Sequence, residues 1–286
     1  MKFVTYNIQY GKGKDGKTDL DRIVGEIAGA DIIALQEVER LWPRSGNVDQ
    51  VQFFAKHLTD YYQVFGPGVD LHIDGSTPAQ NARRQFGNML LSRYPILTSR
   101  HHLLPKYGST GALSVQRSTV EATVQCADHL MRLYSVHLTH LSSTTRLPQV
   151  DRLLDIHFDA PAEGTAISGD LSNMDWAESM GPQLVPYNAI MMGDFNFQPH
   201  SPEYELMVGP MSDYGGRIAN PQGFVDAWSE VGHDIATGIT SDVHDIPARL
   251  DYCFVSNALK HRITSCVVDD QATGSDHFPV WTEIDL

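Results

Sequence analysis

The chain has 286 residues, of which 42% are hydrophobic and 20% are charged, values typical of a folded globular protein and not of a disordered or fibrous one. The 35 acidic residues outnumber the 21 basic ones and give a formal net charge of −14, which argues against a non-specific nucleic-acid coat protein or a polybasic membrane binder. An acidic surface still leaves room for a cleft that is locally cationic or filled by a metal ion.

The cysteine pattern and the first residues predict a protein of a reducing compartment. The three cysteines are widely spaced and form no C-x-x-C motif, which argues against a disulfide framework and a thiolate zinc site. The first residues lack the apolar run of a secretory signal, and no stretch approaches the roughly 20 apolar residues that span a bilayer. We therefore expect a cytoplasmic protein without a transmembrane segment.

The chain opens with a predicted strand, helix and strand. Residues 2–8 are predicted to form a strand, and apolar residues then recur at helical spacing over 20–27, with Asp19 as the N-cap. Residues 30–35 form a continuous apolar run, which is typical of a strand buried on both faces. Glu37 follows where this strand is expected to end.

The remaining segments predict an α/β protein with two sheets. Helices are expected at 48–58 and 146–158, and short apolar runs predict strands at 63–65, 87–92, 118–126, 130–138, 189–192, 250–255, 263–268 and 279–284. Consecutive strands with no helix between them must pair antiparallel. So many strands with so few helices exceed what one doubly wound sheet holds, which predicts two mixed sheets packed face to face with helices outside.

Two polar segments fit no helix or strand. The first, Pro67 to Arg84, is rich in glycine and proline, and the second, Asp159 to Pro186, is long and polar. Loops of this length are usually functional or mobile. We expect residues 1–286 to form a single domain, with 159–186 as an insertion that selects the substrate or contacts another subunit.

Five short clusters place acids, amides and histidines at the ends of predicted strands. Each cluster alone is explained by turn formation or by a solvated strand end, but five together favour one shared site at the rim of the sheets. The clusters are Tyr6-Asn7, Gln36-Glu37-Val38, Ser135-Val136-His137-Leu138, Gly193-Asp194-Phe195-Asn196 and Ser275-Asp276-His277-Phe278-Pro279.

The oxygen-bearing members of these clusters predict a divalent metal site. Asn7, Glu37 and Asp276 offer hard oxygen ligands, which suit a single Mg²⁺ or Mn²⁺ that keeps several waters. A zinc site would instead be rich in histidine or cysteine.

The other members supply groups that act on a phosphoester. His137 and His277 carry imidazoles, while Asp194 and Asn196 place a carboxylate and an amide two residues apart in one tight turn. A metal ion, a group that orients water and several hydrogen-bond donors together suit the attack of water on phosphorus.

With these residues in view, the chain resembles the endonuclease/exonuclease/phosphatase family of DNase I-like metal-dependent phosphohydrolases, from Asn7 to Pro279. The resemblance implies a four-layer α/β/β/α sandwich of two mixed β-sheets, with the site at one rim. Further matching positions are Gly87 to Ile96, Arg117, Arg146 with Gln149, and Arg249 to Tyr252.

The resemblance also implies which residues bind the metal and the substrate. Glu37 corresponds to the principal metal ligand, with Asn7 beside it and Asp276 near the metal. Asn196 and Arg117 correspond to residues that hold the phosphate.

The resemblance implies catalytic roles for the remaining residues. His277 would be the general base or the imidazole bound to phosphate, with Asp251 orienting it, because an aspartate on one ring nitrogen fixes the tautomer. Asp194 would align or deprotonate the water. Asn196 would act as a catalytic residue in addition to holding the phosphate. His137 would donate to the phosphoryl or leaving oxygen.

Two details separate the branches of the family. Abasic-site endonucleases typically continue the first asparagine with Asn-Gly and often carry tyrosine in place of His137. This chain reads Asn-Ile-Gln-Tyr-Gly from Asn7, which is closer to the sphingomyelinase-like and uncharacterised bacterial branches.

His140 lies three residues after His137, and residues three apart on a strand face opposite sides, so a zinc site built on this pair is disfavoured.

The leading hypothesis is a phosphodiesterase or phosphatase that depends on Mg²⁺ or Mn²⁺ and uses an activated water. A small-molecule phosphoester or a lipid headgroup is the favoured substrate. The alternatives are a nuclease acting on DNA or RNA and a catalytically silent binding module of the same fold.

Overall fold

The computed structural model describes residues 1–126, 129–168, 184–242 and 246–286. Its twelve strands are β1 Lys2–Asn7, β2 Ile32–Arg40, β3 Tyr62–His72, β4 Arg83–Ser92, β5 Ile96–Leu103, β6 Ser118–Cys126, β7 His129–His137, β8 Ala189–Asp194, β9 Phe224–Asp226, β10 Asp251–Ser256, β11 Ile263–Val268 and β12 Val280–Ile284. Its α-helices are α1 Leu20–Glu26, α2 Gln50–His57, α3 Ser143–Glu163, α4 Pro202–Val208 and α5 Ala227–Glu230. Short 3₁₀ turns lie at Gln9–Gly11, Pro43–Ser45 and Asn257–Arg262.

The strands form two mixed six-stranded sheets. The first has the order β11-β12-β1-β2-β4-β3 and the second the order β5-β6-β7-β8-β10-β9. One neighbouring pair in each sheet is parallel, β1 with β2 and β7 with β8, and the other pairs are antiparallel. The prediction of two mixed sheets is confirmed.

Three apolar layers hold the sheets and helices together. The central layer contains side chains of both sheets, such as Phe3 and Leu90 from the first and Val120 and Leu133 from the second. A second layer joins α1 and α2 to the outer face of the first sheet. A third joins α3 and α4 to the outer face of the second sheet. The result is the expected four-layer α/β/β/α sandwich.

Local capping signals explain where the helices begin. The carboxylate of Asp19 accepts a hydrogen bond from the Arg22 amide at 3.0 Å, so the predicted N-cap of α1 is confirmed. Helix α3 begins three residues earlier than predicted, because Ser142 and Thr145 form a reciprocal capping box. It also extends to Glu163 instead of ending at 158.

The polar segment Pro67 to Arg84 is not a loop throughout, and that prediction is wrong. Its first residues continue β3 and its last two begin β4, with a register shift between Pro67 and Val69 that accommodates the proline. Strands β5 and β9 were not predicted, because β5 alternates buried and exposed residues without a strong apolar run and β9 has only three residues. The predicted insertion 159–186 begins inside α3, and its residues 169–183 lie outside the described part of the chain.

The topology brings distant residues to one rim of the sandwich. Strands β1, β7 and β8 end there, and β6 and β10, which run antiparallel to their neighbours β7 and β8, begin there. Asp251 at the start of β10 therefore pairs with Asp194 at the end of β8. Among the described residues, no helix has the length and apolar character needed to cross a bilayer.

Candidate active site

A cleft of about 730 Å³ opens at this rim between the two sheets. The first sheet contributes Asn7 and Glu37 to its lining, and the second contributes His137 and Asp194. Arg117, one residue before β6, also lines the cleft although its side chain is buried. The volume is within the range of small-molecule sites and is far larger than one phosphate group requires.

The carboxylate of Asp194 lies at the centre of the buried polar groups. Its Oδ2 atom accepts a hydrogen bond from Asn7 Nδ2 at 2.9 Å and lies 3.3 Å from His137 Nε2 and 3.8 Å from His277 Nε2. Burial by itself raises the pKa of Asp194, but the two imidazoles and the Asn7 amide outweigh it and hold that pKa below its ordinary range. Asp194 is therefore a buried carboxylate that stays ionised.

His277 and Asp251 form a second buried pair beside Asp194. Nδ1 of His277 lies 2.7 Å from Oδ2 of Asp251, so the ring is oriented with Nε2 toward Asp194. Burial lowers the pKa of His277, but the charges of Asp251 and Asp194 outweigh it and raise that pKa to about 10. The hydroxyl of Ser275 accepts from the His277 amide at 3.2 Å and donates to the Asn7 carbonyl at 2.7 Å, which ties this loop to β1.

Glu37 reaches the cleft through an irregularity of β2, not at the end of the strand as predicted. The strand continues to Arg40, and the register of its pairing with β4 shifts between Leu35 and Val38. Glu37 in this bulge has a φ of 60°, a left-handed conformation that costs a non-glycine residue about 1–3 kcal/mol. Its Oε1 atom lies 3.5 Å from Asn7 Nδ2.

Asn196 also adopts a left-handed conformation, with a φ of 54°. Its amide N–H donates to Oδ1 of Asp194 at 3.0 Å, and its side-chain Nδ2 donates to the Leu138 carbonyl at 3.0 Å. These two bonds fix the turn that follows β8 and hold the side chain of Asn196 in the lining of the cleft.

The three predicted metal ligands lie in the lining of the same cleft. Asp276 receives a 2.5 Å hydrogen bond from Gln9 Nε2, and its pKa is raised by burial and further by the charge of Glu37. Two carboxylates in one lining form a donor set that suits a hard divalent cation, and the cation would relieve their repulsion. Asn7 turns its Nδ2 toward Glu37, and its Oδ1 accepts from the Gln9 amide at 3.1 Å and keeps a second lone pair for a cation. The residues therefore fit Mg²⁺ or Mn²⁺.

The tightest group of metal-binding atoms among the described residues is a different set, Asp194, Asp251 and His277, whose atoms lie within 4.8 Å of one another. In this set His277 Nδ1 is already bonded to Asp251, and Asp194 is bonded to Asn7. These mutual bonds describe a network of acid and base groups more simply than a metal site.

His140 lies in the cleft, which the prediction from strand alternation did not foresee. Strand β7 ends at His137, so the alternation of a strand does not extend to His140. Nη1 of Arg117 is 3.1 Å from Nδ1 of His137, and its Nη2 is 3.2 Å from Nδ1 of His140. One arginine therefore contacts both histidines.

The sequence analysis also missed the outer wall of the cleft. This aromatic wall consists of Tyr10, Trp42, Arg44 and Phe86. The guanidinium of Arg44 lies 4.4 Å from the Tyr10 ring and 4.8 Å from the Trp42 ring, and it pairs with the buried carboxylate of Glu39. No motif marks these residues. Tyr10 lies close in sequence to Asn7, and Trp42 and Arg44 lie close to Glu37, but no such signal pointed to Phe86.

The order of strands, the rim site and its acidic, amide and imidazole groups together invite comparison with known proteins. The structure resembles an endonuclease/exonuclease/phosphatase from Beutenbergia cavernae DSM 12333, with 19% identity and a TM-score of 0.66 over the whole chain and 71% of that protein. It also resembles a mannosyl-6-phosphatase from Bacteroides thetaiotaomicron VPI-5482, with 15% identity, a TM-score of 0.62 and full coverage of both chains.

A third similar structure is TDP2 of D. rerio in complex with a single-strand DNA product, with 16% identity and a TM-score of 0.61 over the whole chain and 99% of that protein. At these identities the three structures show a shared DNase I-like fold. A family model of the Endonuclease/Exonuclease/phosphatase family matches residues 4–277 of the sequence. The chain therefore belongs to the endonuclease/exonuclease/phosphatase family.

Proposed function

We propose that this protein hydrolyses a phosphoester by in-line attack of a water molecule and depends on Mg²⁺ or Mn²⁺. The observation that carries the proposal is the buried network around Asp194, in which a carboxylate held ionised contacts two imidazoles and an amide at the floor of one cleft. Groups that are already oriented stabilise a transition state at little reorganisation cost.

Asp194 is the group that orients the attacking water. Its depressed pKa keeps it ionised, so it accepts a hydrogen bond from the water and aligns it with phosphorus. Asn196 and Arg117 hold oxygens of the phosphoryl group, and His137 donates to a phosphoryl or leaving oxygen. In this way the second sheet supplies most of the groups around phosphorus.

His277 contacts the phosphoryl group as an imidazolium. Its raised pKa keeps the ring protonated at neutral pH, and Asp251 holds Nδ1 so that the Nε2–H is free to donate to an oxygen that becomes more negative. Asp251 is thus a positioning residue. This assignment selects the phosphate-bound imidazole over the general base.

Glu37, Asn7 and Asp276 would hold the divalent cation. A cation held there would supply Lewis-acid stabilisation of the negative charge on the phosphoryl oxygens. Gln9 keeps the Asp276 carboxylate in place through its 2.5 Å hydrogen bond.

The cleft favours a phosphoester with an organic group larger than methyl or ethyl. Its volume of about 730 Å³ leaves most of the space to the alcohol part of the substrate, and the aromatic wall offers apolar and stacking surface on one side. A small-molecule ester or a lipid headgroup fits this space, and the net charge of −14 disfavours long duplex DNA.

Turnover of bis(p-nitrophenyl) phosphate and p-nitrophenyl phosphate tests the proposal. We expect hydrolysis with Mg²⁺ or Mn²⁺, none with a chelator, and loss of metal-dependent turnover in Glu37→Gln. The matched control is Glu230→Gln, which removes the same charge from an exposed position on α5. Absence of turnover in the wild type with a broad panel of phosphoesters would support a silent binding module instead.

A nuclease is the second candidate, because the aromatic wall has the aromatic rings and the arginine on which bases of a single strand stack. Cleavage of a single-stranded oligonucleotide and nicking of a supercoiled plasmid at about 150 mM salt separate the two candidates. Efficient nicking that is lost in Glu37→Gln would place the nuclease first.

A further inference from the structure

Arg117 determines the protonation of the two histidines that it contacts. Its Nη1 and Nη2 atoms donate to Nδ1 of His137 and Nδ1 of His140, at 3.1 and 3.2 Å. A guanidinium has only donors, so both Nδ1 atoms must accept. Each imidazole is then neutral and carries its proton on Nε2.

This tautomer makes both histidines hydrogen-bond donors toward the cleft and removes them as acceptors. His137 Nε2 lies 3.3 Å from Oδ2 of Asp194 and donates to it in this structure, and with a substrate bound the same N–H would donate to a phosphoryl or leaving oxygen instead. His140 lines the cleft and is exposed, and its Nε2–H has no acceptor in the described part of the chain. With Nδ1 occupied by Arg117 and Nε2 protonated, neither ring can take a proton from water.

Arg117 also differs from the other buried arginines in its charge balance. Arg249 lies 2.6 Å from Asp226, and Arg132 lies 3.8 Å from Glu121. Within residues 1–126, 129–168, 184–242 and 246–286, no carboxylate lies within ion-pairing distance of Arg117, and Glu37 and Asp194 attract it only from farther away. Its Nε atom is buried without a partner, as are those of Arg132 and Arg249. A buried charge that lacks a close counter-ion is costly, which indicates that an anion in the cleft completes this site.

We propose that His140 is a substrate-binding residue and that, with Arg117 and His137, it forms a subsite for a phosphate-type oxyanion. This inference rests on the proposed function and adds to it a residue outside the matched motifs. Arg117 supplies the charge, and the Nε2–H of His140 donates to an oxygen of the phosphoryl group. A tetrahedral oxyanion suits the subsite, because its several oxygens can accept from donors on several residues at once.

A pair of substitutions separates binding by His140 from mere support of Arg117. In His140→Gln the amide nitrogen takes the place of Nε2, which keeps the donor and gives up the contact with Arg117. In His140→Asn the amide oxygen takes the place of Nδ1, which keeps that contact and gives up the donor. The two variants are matched in size and polarity, and they test opposite ends of the ring.

The readouts are KM and kcat for p-nitrophenyl phosphate and the inhibition constant of inorganic phosphate. We expect His140→Asn to raise KM and the inhibition constant by roughly 10- to 100-fold, as for loss of a hydrogen bond to a charged group, with a smaller change in kcat. We expect His140→Gln to stay within about threefold of the wild type in both constants. The opposite ranking, with Asn restoring the wild-type constants, would overturn the proposal.

A measurement without turnover provides a second test. In ¹⁵N NMR spectra of the wild-type protein, we expect both imidazoles to be Nε2–H tautomers, and titration with inorganic phosphate to shift the His140 nitrogens. An Nδ1–H tautomer at His140, or no response to phosphate at saturation, would refute the subsite. Absence of metal-dependent turnover in the wild type would instead reject the proposed function. The phosphate titration would still show whether His140 binds a phosphate-type oxyanion.

Discussion

Two buried arginines at opposite ends of the β6–β7 pair make the same contact in different surroundings. Arg117 donates to Nδ1 of His137 at 3.1 Å, and Arg132 donates to Nδ1 of His157 at 2.8 Å. Arg132 also donates to the carbonyl of His157 at 3.1 Å and lies 3.8 Å from Glu121. It is fully enclosed between β7 and α3, whereas Arg117 lines an open cleft.

An arginine–histidine contact does not by itself identify a functional site. In the enclosed pair, Nη2 of the arginine donates to His157 and to two backbone carbonyls, Nη1 lies 3.8 Å from the carboxylate of Glu121, and the contact joins a helix to the sheet. In the cleft pair, the arginine has no carboxylate within ion-pairing distance among the described residues and faces the space where a substrate would bind. The first arrangement serves stability and the second is suited to binding, and variants of both can test this division.

The largest expected effect is on stability. Arg132→Met leaves the buried acceptors of His157 and two backbone carbonyls without their donor, and it removes the guanidinium beside Glu121, whose other partner is His102. We expect it to lower the free energy of unfolding by about 3–5 kcal/mol. Arg117 makes no close ion pair, so Arg117→Met leaves no carboxylate unpaired. We expect this variant to change the free energy of unfolding by no more than about 1 kcal/mol. Urea denaturation of both variants measures the difference, and equal losses would contradict the division.

The enclosed pair also predicts how stability depends on pH. Burial, and then the charge of Arg132, lower the pKa of His157 from 6.5 to about 4. The unfolded chain therefore binds a proton at this residue more readily than the folded protein, so the contribution to stability is complete above pH 6.5 and is lost as the pH falls toward 4. The gap between the two pKa values corresponds to about 3 kcal/mol.

Urea denaturation between pH 7 and pH 4 measures this dependence. The matched control is His157→Asn, which keeps an acceptor for Arg132 near the position of Nδ1 but does not titrate. The wild type is expected to lose about 3 kcal/mol more than this variant over the range. Identical pH profiles would show that His157 does not contribute.

A change of arginine to lysine is expected to affect turnover at the cleft only. Arg117→Lys loses the planar fork that reaches two histidines and the phosphoryl oxygens, so kcat/KM should fall about 100-fold, equivalent to about 2.7 kcal/mol. Arg132→Lys, assayed well below its melting temperature, should retain kcat/KM within about fivefold. Comparable losses in both variants would indicate that the two pairs are coupled.

The smallest expected effect is that of the metal on stability. At a concentration ten times its Kd, Mg²⁺ should stabilise the wild type and Arg132→Met alike by about 1.4 kcal/mol, because it binds only the folded protein. Glu37→Gln should lose this increment. Thermal unfolding with Mg²⁺ and with a chelator provides the measurement, and stabilisation of Glu37→Gln equal to that of the wild type would refute the ligand assignment.

Local patterns accounted for much of the fold. The cap at Asp19 and the apolar runs of β1 and β2 depend on residues close in sequence, so they could be predicted from it. The long β3–β4 hairpin was missed because Pro67 is tolerated only through a register shift, which depends on the partner strand. The start of α3 was misplaced by three residues for a local reason, the capping box at Ser142.

The chemical groups available to the site could be identified from the sequence, because the types and clusters of acids, amides and histidines can be read along the chain. How these groups meet depends on the packed fold. The left-handed bulge at Glu37, the place of His140 in the cleft and the lack of a close ion pair at Arg117 all follow from contacts between segments far apart in sequence. Such contacts arise from strand register and sheet packing, which no local pattern of residues encodes.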